Sequence, residues 1–133
     1  MIALDTNVLV RYLTQDDPAQ ARAASRLIER ELSTARPGLI LAVVLAETLW
    51  VLGELYGATE GEKIDCAEQL LATRQLKMQH KPAVERAVQM ARNASCGLVD
   101  CLIAEIAADE GCDHVATFDR KAGKQAGFAL LKG

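Results

Sequence analysis

No stretch of these 133 residues is both long and apolar: the longest hydrophobic run, residues 39–46, is far short of the ~20 residues that a membrane-spanning helix needs. No basic segment precedes Asp5, so a secretory leader is not expected, and the cytoplasm is the expected location. The four cysteines, Cys66, Cys96, Cys101 and Cys112, include no C-x-x-C pair, and neither His80 nor His114 falls at zinc-finger spacing. They read as small buried thiols. Also missing are internal repeats, linkers and low-complexity tracts, a Walker-type glycine loop, a G-x-S-x-G elbow and a recognisable Cys–His pairing. Those absences argue against nucleotide-cradling, serine-hydrolase and thiol chemistries.

A strong charge of either sign is lacking as well. The formal net charge is -3, and a basic footprint of the kind that phosphate binding normally leaves is not visible in the total. Setting four particular acids aside leaves the remainder close to neutral, so the global charge does not exclude a nucleic-acid partner. Half of the residues are hydrophobic and a quarter charged, a globular composition. At this length we expect one domain over residues 1–133 with its own core.

Strand and helix signals alternate from end to end. A strand over residues 1–4 leads to Asp5-Thr6-Asn7, which offers side-chain caps to a short helix through Leu13. Asp17-Pro18 is a good start for a second helix, whose apolar positions Ala24, Leu27, Ile28 and Leu32 share a face until Arg36-Pro37-Gly38 stops it. A buried strand over residues 39–42 runs into a helix ending before Gly57. Thr59 and Glu62 form a capping box for the next. Residues 76–79 alternate like a short strand, and Val84, Ala87, Val88 and Ala91 mark an amphipathic helix that Ser95-Cys96-Gly97 breaks. A helix over residues 98–110, a strand over 115–118, a short helix over 119–125 and a strand over 128–131 complete the chain. Strands with no polar side imply a central, mainly parallel sheet with helices on both faces, an α/β class of three layers.

Against that background four carboxylates stand out. Asp5 and Asp119 each follow an apolar strand, at the carboxyl edge where open α/β sheets bind ligands. Glu47 and Asp100 interrupt apolar helical segments, and no Arg or Lys lies within three residues of either. Apolar surroundings predict burial or near burial for all four, which an ionised carboxylate tolerates only beside compensating positive charge. A divalent cation with a preference for hard oxygen would supply it. Taken singly, each residue has a plainer explanation. Asp5 and Asp119 could simply cap the helices that follow, and Glu47 could belong to a solvated stripe with Glu54. Asp100 sits in the first turn of its helix, where the dipole favours an acid. Its side chain is directed about 160° away from the middle of the Glu105 and Asp109 pair, taken as the solvent face. Taken together, acids converging at one rim suit phosphoryl transfer with bound Mg²⁺ or Mn²⁺. An aspartyl-nucleophile phosphatase would carry a second Asp two residues after Asp5, where this chain has Asn7.

The segment Leu4-Asp5-Thr6-Asn7-Val8-Leu9-Val10-Arg11-Tyr12-Leu13, then Ala46-Glu47-Thr48, Asp100-Cys101-Leu102-Ile103-Ala104 and Thr117-Phe118-Asp119-Arg120 resemble, in order, the motifs of PIN-domain proteins, most closely VapC-type toxin ribonucleases. The resemblance covers nearly the whole chain. It implies an α/β/α fold, Mg²⁺-dependent cleavage of RNA that leaves a 5′-phosphate and a 3′-hydroxyl, a homodimer, and inhibition by a small cognate antitoxin. By similarity Asp5 and Asp100 would bind metal directly. Glu47 and Asp119 would bind it through water or hold a second ion, while Thr6, Asn7 and Thr117 orient ligands and water. Arg11, Arg120, Lys121 and Lys124 would contact RNA phosphates, although a solvated basic face explains the last three equally well. Some members carry a further acid just past the fourth position, where this chain has Arg120-Lys121. The number of metals is therefore open. Other functions compatible with the motifs are a catalytically idle PIN scaffold that binds RNA or protein, and a PIN nuclease of RNA maturation or of DNA outside a toxin pair.

Overall fold

The structure, a computed structural model, describes residues 1–94 and 96–133. Ser95, expected to help break a helix, lies outside the described residues. The chain divides into two compact units, Met1–Lys81 and Pro82–Gly133.

The first unit contains β1 (Ile2–Ala3), α1 (Thr6–Thr14), α2 (Pro18–Arg26), β2 (Gly38–Ile40), α3 (Ala42–Tyr56), α4 (Glu60–Ala72) and β3 (Leu76–Met78). Its three strands form one parallel sheet in the order β1-β2-β3, with Ile2 opposite Gly38 and Gly38 opposite Leu76. Parallel neighbours joined through helices bring their carboxyl ends to one rim. Asp5 follows β1 at that rim, and α3 starts there after β2. Leu9, Ile28, Ile40, Leu45 and Leu49 are fully buried and form the heart of this unit's apolar interior.

Most boundaries follow local chemistry. Asp17 caps α2 by accepting from the Gln20 amide at 3.1 Å, with Pro18 as the first helical residue. Thr59 and Glu62 make both bonds of the capping box at the start of α4. Gly57 ends α3 at φ 67°, where a side chain would be strained. One feature has no sequence signal: α2 continues as a π-helical turn, Leu27–Glu31, closed by the Leu32 amide on the Leu27 carbonyl at 2.8 Å. The wider turn keeps Ile28 and Leu32 buried while Glu29, Arg30 and Glu31 reach solvent.

The second unit contains α5 (Lys81–Asn93) from its second residue on, α6 (Leu98–Asp109), β4 (Val115–Thr117) and β5 (Phe128–Leu130), the two strands pairing in parallel. The helix expected over residues 119–125 is reduced to a single 3-10 turn, Ala122–Lys124. Glycines at 123 and 127 weaken helix propagation there, and Gly127 at φ 87° turns the chain into β5. With parallel strands and intervening helices throughout, the chain is of the α/β class. Among the described residues no helix is long and apolar enough to cross a membrane.

One expectation about side chains is corrected. Cys96 and Cys101 are buried, but Cys66 is half-buried and Cys112 exposed, because the latter lies in the turn after α6 rather than on an apolar face. The solvent side expected for Glu105 and Asp109 is observed, Asp109 being exposed and Glu105 half-buried, and both pair there with Arg86 of α5, at 2.9 and 2.5 Å.

Candidate functional site

Asp5 occupies the N-cap position of α1, with extended backbone and a side-chain oxygen accepting from the Thr6 amide at 2.8 Å. Thr6 is the first helical residue and is buried. Its hydroxyl donates to Oε1 of Glu47, one and a half turns into α3. A single threonine therefore joins two carboxylates from segments 41 positions apart, its amide holding one and its hydroxyl the other. The start of α3 is itself fixed from a third strand end. The Gln79 side-chain carbonyl accepts from the Ala42 amide at 2.8 Å, supplying the cap that Leu41 cannot.

Asp5, Thr6, Asn7, Arg11, Glu47 and Tyr56 line one open cleft of about 450 Å³ in the first unit. Asn7 is exposed to it. In the same cleft the Arg11 guanidinium donates to Gln20 at 2.7 Å, to the Tyr56 hydroxyl at 2.9 Å and to Asp16 at 3.3 Å. The Tyr56 hydroxyl donates in turn to Asp16 at 2.7 Å. The Tyr56 bond foremost, and then the Asp16 charge, raise the Arg11 pKa, while the Tyr56 and Thr14 hydroxyls hold the Asp16 carboxyl below its ordinary range. The guanidinium is thus held in a fixed pose, with part of its donor set already engaged.

The burial expected of the acids is not observed: Asp5, Glu47 and Asp119 are exposed and Asp100 is half-buried. For Glu47 the reason lies in α3, which presents Val43 and Trp50, one turn to either side, to solvent at 72% and 60% exposure. Apolar neighbours in sequence were therefore no guide to an interior position.

In the second unit Asp119 caps the turn after β4, its Oδ1 accepting from the Lys121 amide at 2.8 Å and the Ala122 amide at 3.2 Å. The Thr117 hydroxyl accepts from the Asp119 amide at 3.0 Å. The capping explanation thus describes Asp5 and Asp119 correctly, and in each the observed bonds fall on one carboxylate oxygen. Asp100 is the third residue of α6. Arg120, Lys121 and Lys124 are all exposed on the segment following Asp119. Beside α6, burial and the neighbouring Cys96 push the Cys101 thiol up to about 12. Two residues of this site had no functional reading from sequence, Gln79 and Tyr56, because both act through partners distant in the chain.

Among the described residues no group of three or more His, Cys, Asp or Glu side chains is gathered as a metal cage. Mg²⁺ does not need one. It is usually held by one or two carboxylates, several waters and substrate phosphate, and Asp5 and Glu47 offer hard oxygen donors of that type on one cleft.

A family model described as PIN domain matches residues 2–127, and the chain belongs to the PIN-domain family. No curated protein matches the chain. The PIN domain is generally a nuclease fold, its nucleases commonly use divalent metals, and nucleic acid is the expected partner.

Proposed function

We propose that this chain is a Mg²⁺- or Mn²⁺-dependent endoribonuclease, the toxin of a toxin–antitoxin pair, and that residues 1–133 act as one PIN domain with Asp5, Glu47, Asp100 and Asp119 as its acid set. The observation that carries the reading is the Asp5–Thr6–Glu47 linkage, in which a buried threonine holds two exposed carboxylates on one cleft. Exposed acids that merely solubilise a surface have no need of a shared, buried hydrogen-bonding residue. The family match supports a nuclease, and four motif acids in order support an active one.

In this reading Asp5 and Asp100 bind the cation, and Glu47 and Asp119 orient the water around it. A bound divalent ion would lower the pKa of a water poised to attack phosphorus and offset charge on the phosphate oxygens. The Thr6 hydroxyl removes rotational freedom from Glu47, so that its second oxygen keeps one direction. Asn7 at the cleft and Thr117 behind Asp119 serve the same positioning role. Arg11 at the cleft, with Arg120, Lys121 and Lys124 following Asp119 in the chain, provides cationic contacts for backbone phosphates. The apolar surface that α3 exposes at Val43, Trp50 and Leu55 suits a homodimer or the antitoxin, with a basic antitoxin side chain reaching the acids.

Purified protein incubated with RNA and Mg²⁺ or Mn²⁺ should produce 5′-phosphate ends and lose this activity in EDTA. Undiminished cleavage without divalent ions would remove the metal from the account. Failure to cleave any RNA, with binding retained, would favour the idle scaffold. A short reading frame abutting this one, whose product suppresses growth inhibition, separates a toxin from a nuclease of RNA maturation.

A further inference from the structure

The second unit holds two thiols placed as a pair. Gly97 is the N-cap of α6, which puts Cys96 immediately before the cap and Cys101 at the fourth helical position. Residues at these two positions commonly pack together as a hydrophobic staple that fixes how the chain enters a helix. Here both members are cysteines, 7% and 1% exposed, with their sulfurs 2.7 Å apart. A staple of leucine or valine would do the structural task equally well. Two sulfurs do it while remaining able to bond.

Cys96 is also reachable. It lines a cleft of about 380 Å³ together with Met90, Lys121, Lys124 and Gln125. Both lysines are exposed and line the same cleft, which gives it a cationic rim. Cationic side chains lining a cleft draw in anionic reagents. Cys101, almost wholly enclosed, is placed to act second.

We propose that Cys96 and Cys101 form an oxidisable dithiol site that closes to an intramolecular disulfide by exchange with an anionic low-molecular-weight disulfide taken into the lysine-lined cleft. The Cys96 thiolate attacks one reagent sulfur and breaks the reagent S–S bond. A mixed disulfide forms, and the first reagent thiolate leaves and takes up the proton that Cys96 gave up. Cys101 sulfur then attacks Cys96 sulfur, expelling the second reagent thiol together with the Cys101 proton. The pair loses two electrons, the reagent gains two, and two reagent thiols are released. The new bond ties the entry of α6 to the turn whose third residue is Asp100, a covalent brace on the helix end carrying that acid.

The test uses the full chain with Cys66→Ser and Cys112→Ser, so that only the pair can react, and three reagents: oxidised glutathione, neutral 2-hydroxyethyl disulfide and cationic cystamine. Each rate is divided by that of the same reagent with the urea-unfolded chain, which cancels intrinsic reactivity. The expected result is a mass loss of about 2 Da with a Cys96–Cys101 cross-linked peptide. The corrected rate should be highest for the anionic reagent and lowest for the cationic one, about tenfold apart at low salt. Lys121→Gln with Lys124→Gln should shrink that spread to about twofold with an unchanged circular dichroism spectrum. A stable mixed disulfide on Cys96 without the cross-link, no reaction in the folded chain, or a charge order indifferent to the lysines would each overturn the proposal. None of these readouts depends on nuclease activity.

Discussion

The Thr6 hydroxyl donates to the Glu47 carboxylate, joining the first residue of α1 to the middle of α3 across the carboxyl rim of the sheet. Through the adjacent Asp5, which accepts from the Thr6 amide, this contact sets two acids in a common frame.

Thr6→Val keeps the shape of the side chain and removes its hydroxyl. Stability should fall by about 1 kcal/mol, the net worth of one hydrogen bond, since Glu47 is exposed and rehydrates. RNA cleavage should fall by about 10- to 100-fold, the usual cost of losing a positioning partner at a metal site. Thr6→Ser should restore most of it. A Val variant that cleaves like wild type would show that the contact is structural only.

Asp5 caps α1, and in the proposed function it also binds metal, two tasks that substitutions can separate. Asparagine retains an oxygen for the Thr6 amide, so Asp5→Asn should melt close to wild type, whereas Asp5→Ala should lose about 1 kcal/mol as an N-cap deletion. Both should abolish cleavage. An Asn variant with full activity would leave Asp5 as a cap alone.

Gln79→Leu removes the acceptor for the Ala42 amide and uncaps α3. Urea denaturation should show a loss of about 1 kcal/mol, and Glu47, carried by the same helix, should lose part of its positioning. Cleavage reduced more than tenfold with an unchanged fold would exceed what a cap five residues away predicts.

Asp16 gives the pH dependence. Its folded carboxyl is held below the ordinary value of 3.8 by hydroxyl donors from Tyr56 and Thr14, so its stabilisation is present above that value and disappears as pH falls through the lower folded one. Wild type should therefore be more stable than Asp16→Asn at neutral pH, and the two should converge as acid is added below 3.8. Paired urea melts across pH 2–7 read the difference; a gap that stays constant would mean that the hydroxyls do not favour the ionised form.

Local chemistry was legible in the sequence where cause and effect lie within a few residues. Asp17-Pro18, the Thr59 and Glu62 box, and Gly57 each act as read. The four acids were conspicuous in the sequence because of their apolar contexts, and the structure brings Asp5 and Glu47 to one cleft, but the inference of burial failed: sequence neighbours on a helix do not reveal whether that face is covered. The partners of Arg86, 19 and 23 positions away, could not be read from periodicity, and neither could the Gln79 cap, 37 positions from its donor. Thr6 was expected to orient a ligand through family resemblance. Its bond to Glu47 required the strand order that places β1 beside β2.

The central claim of the proposed function, that Asp5 and Asp100 are ligands of a divalent cation, is tested most directly by titrating metal-free protein with Mn²⁺ in a calorimeter. Wild type should bind with saturable stoichiometry, and Asp5→Asn and Asp100→Asn should each weaken binding by at least about tenfold, as expected when a charged ligand becomes a neutral one. Binding to the Asp100→Asn variant that matches wild type in affinity and stoichiometry would contradict the account.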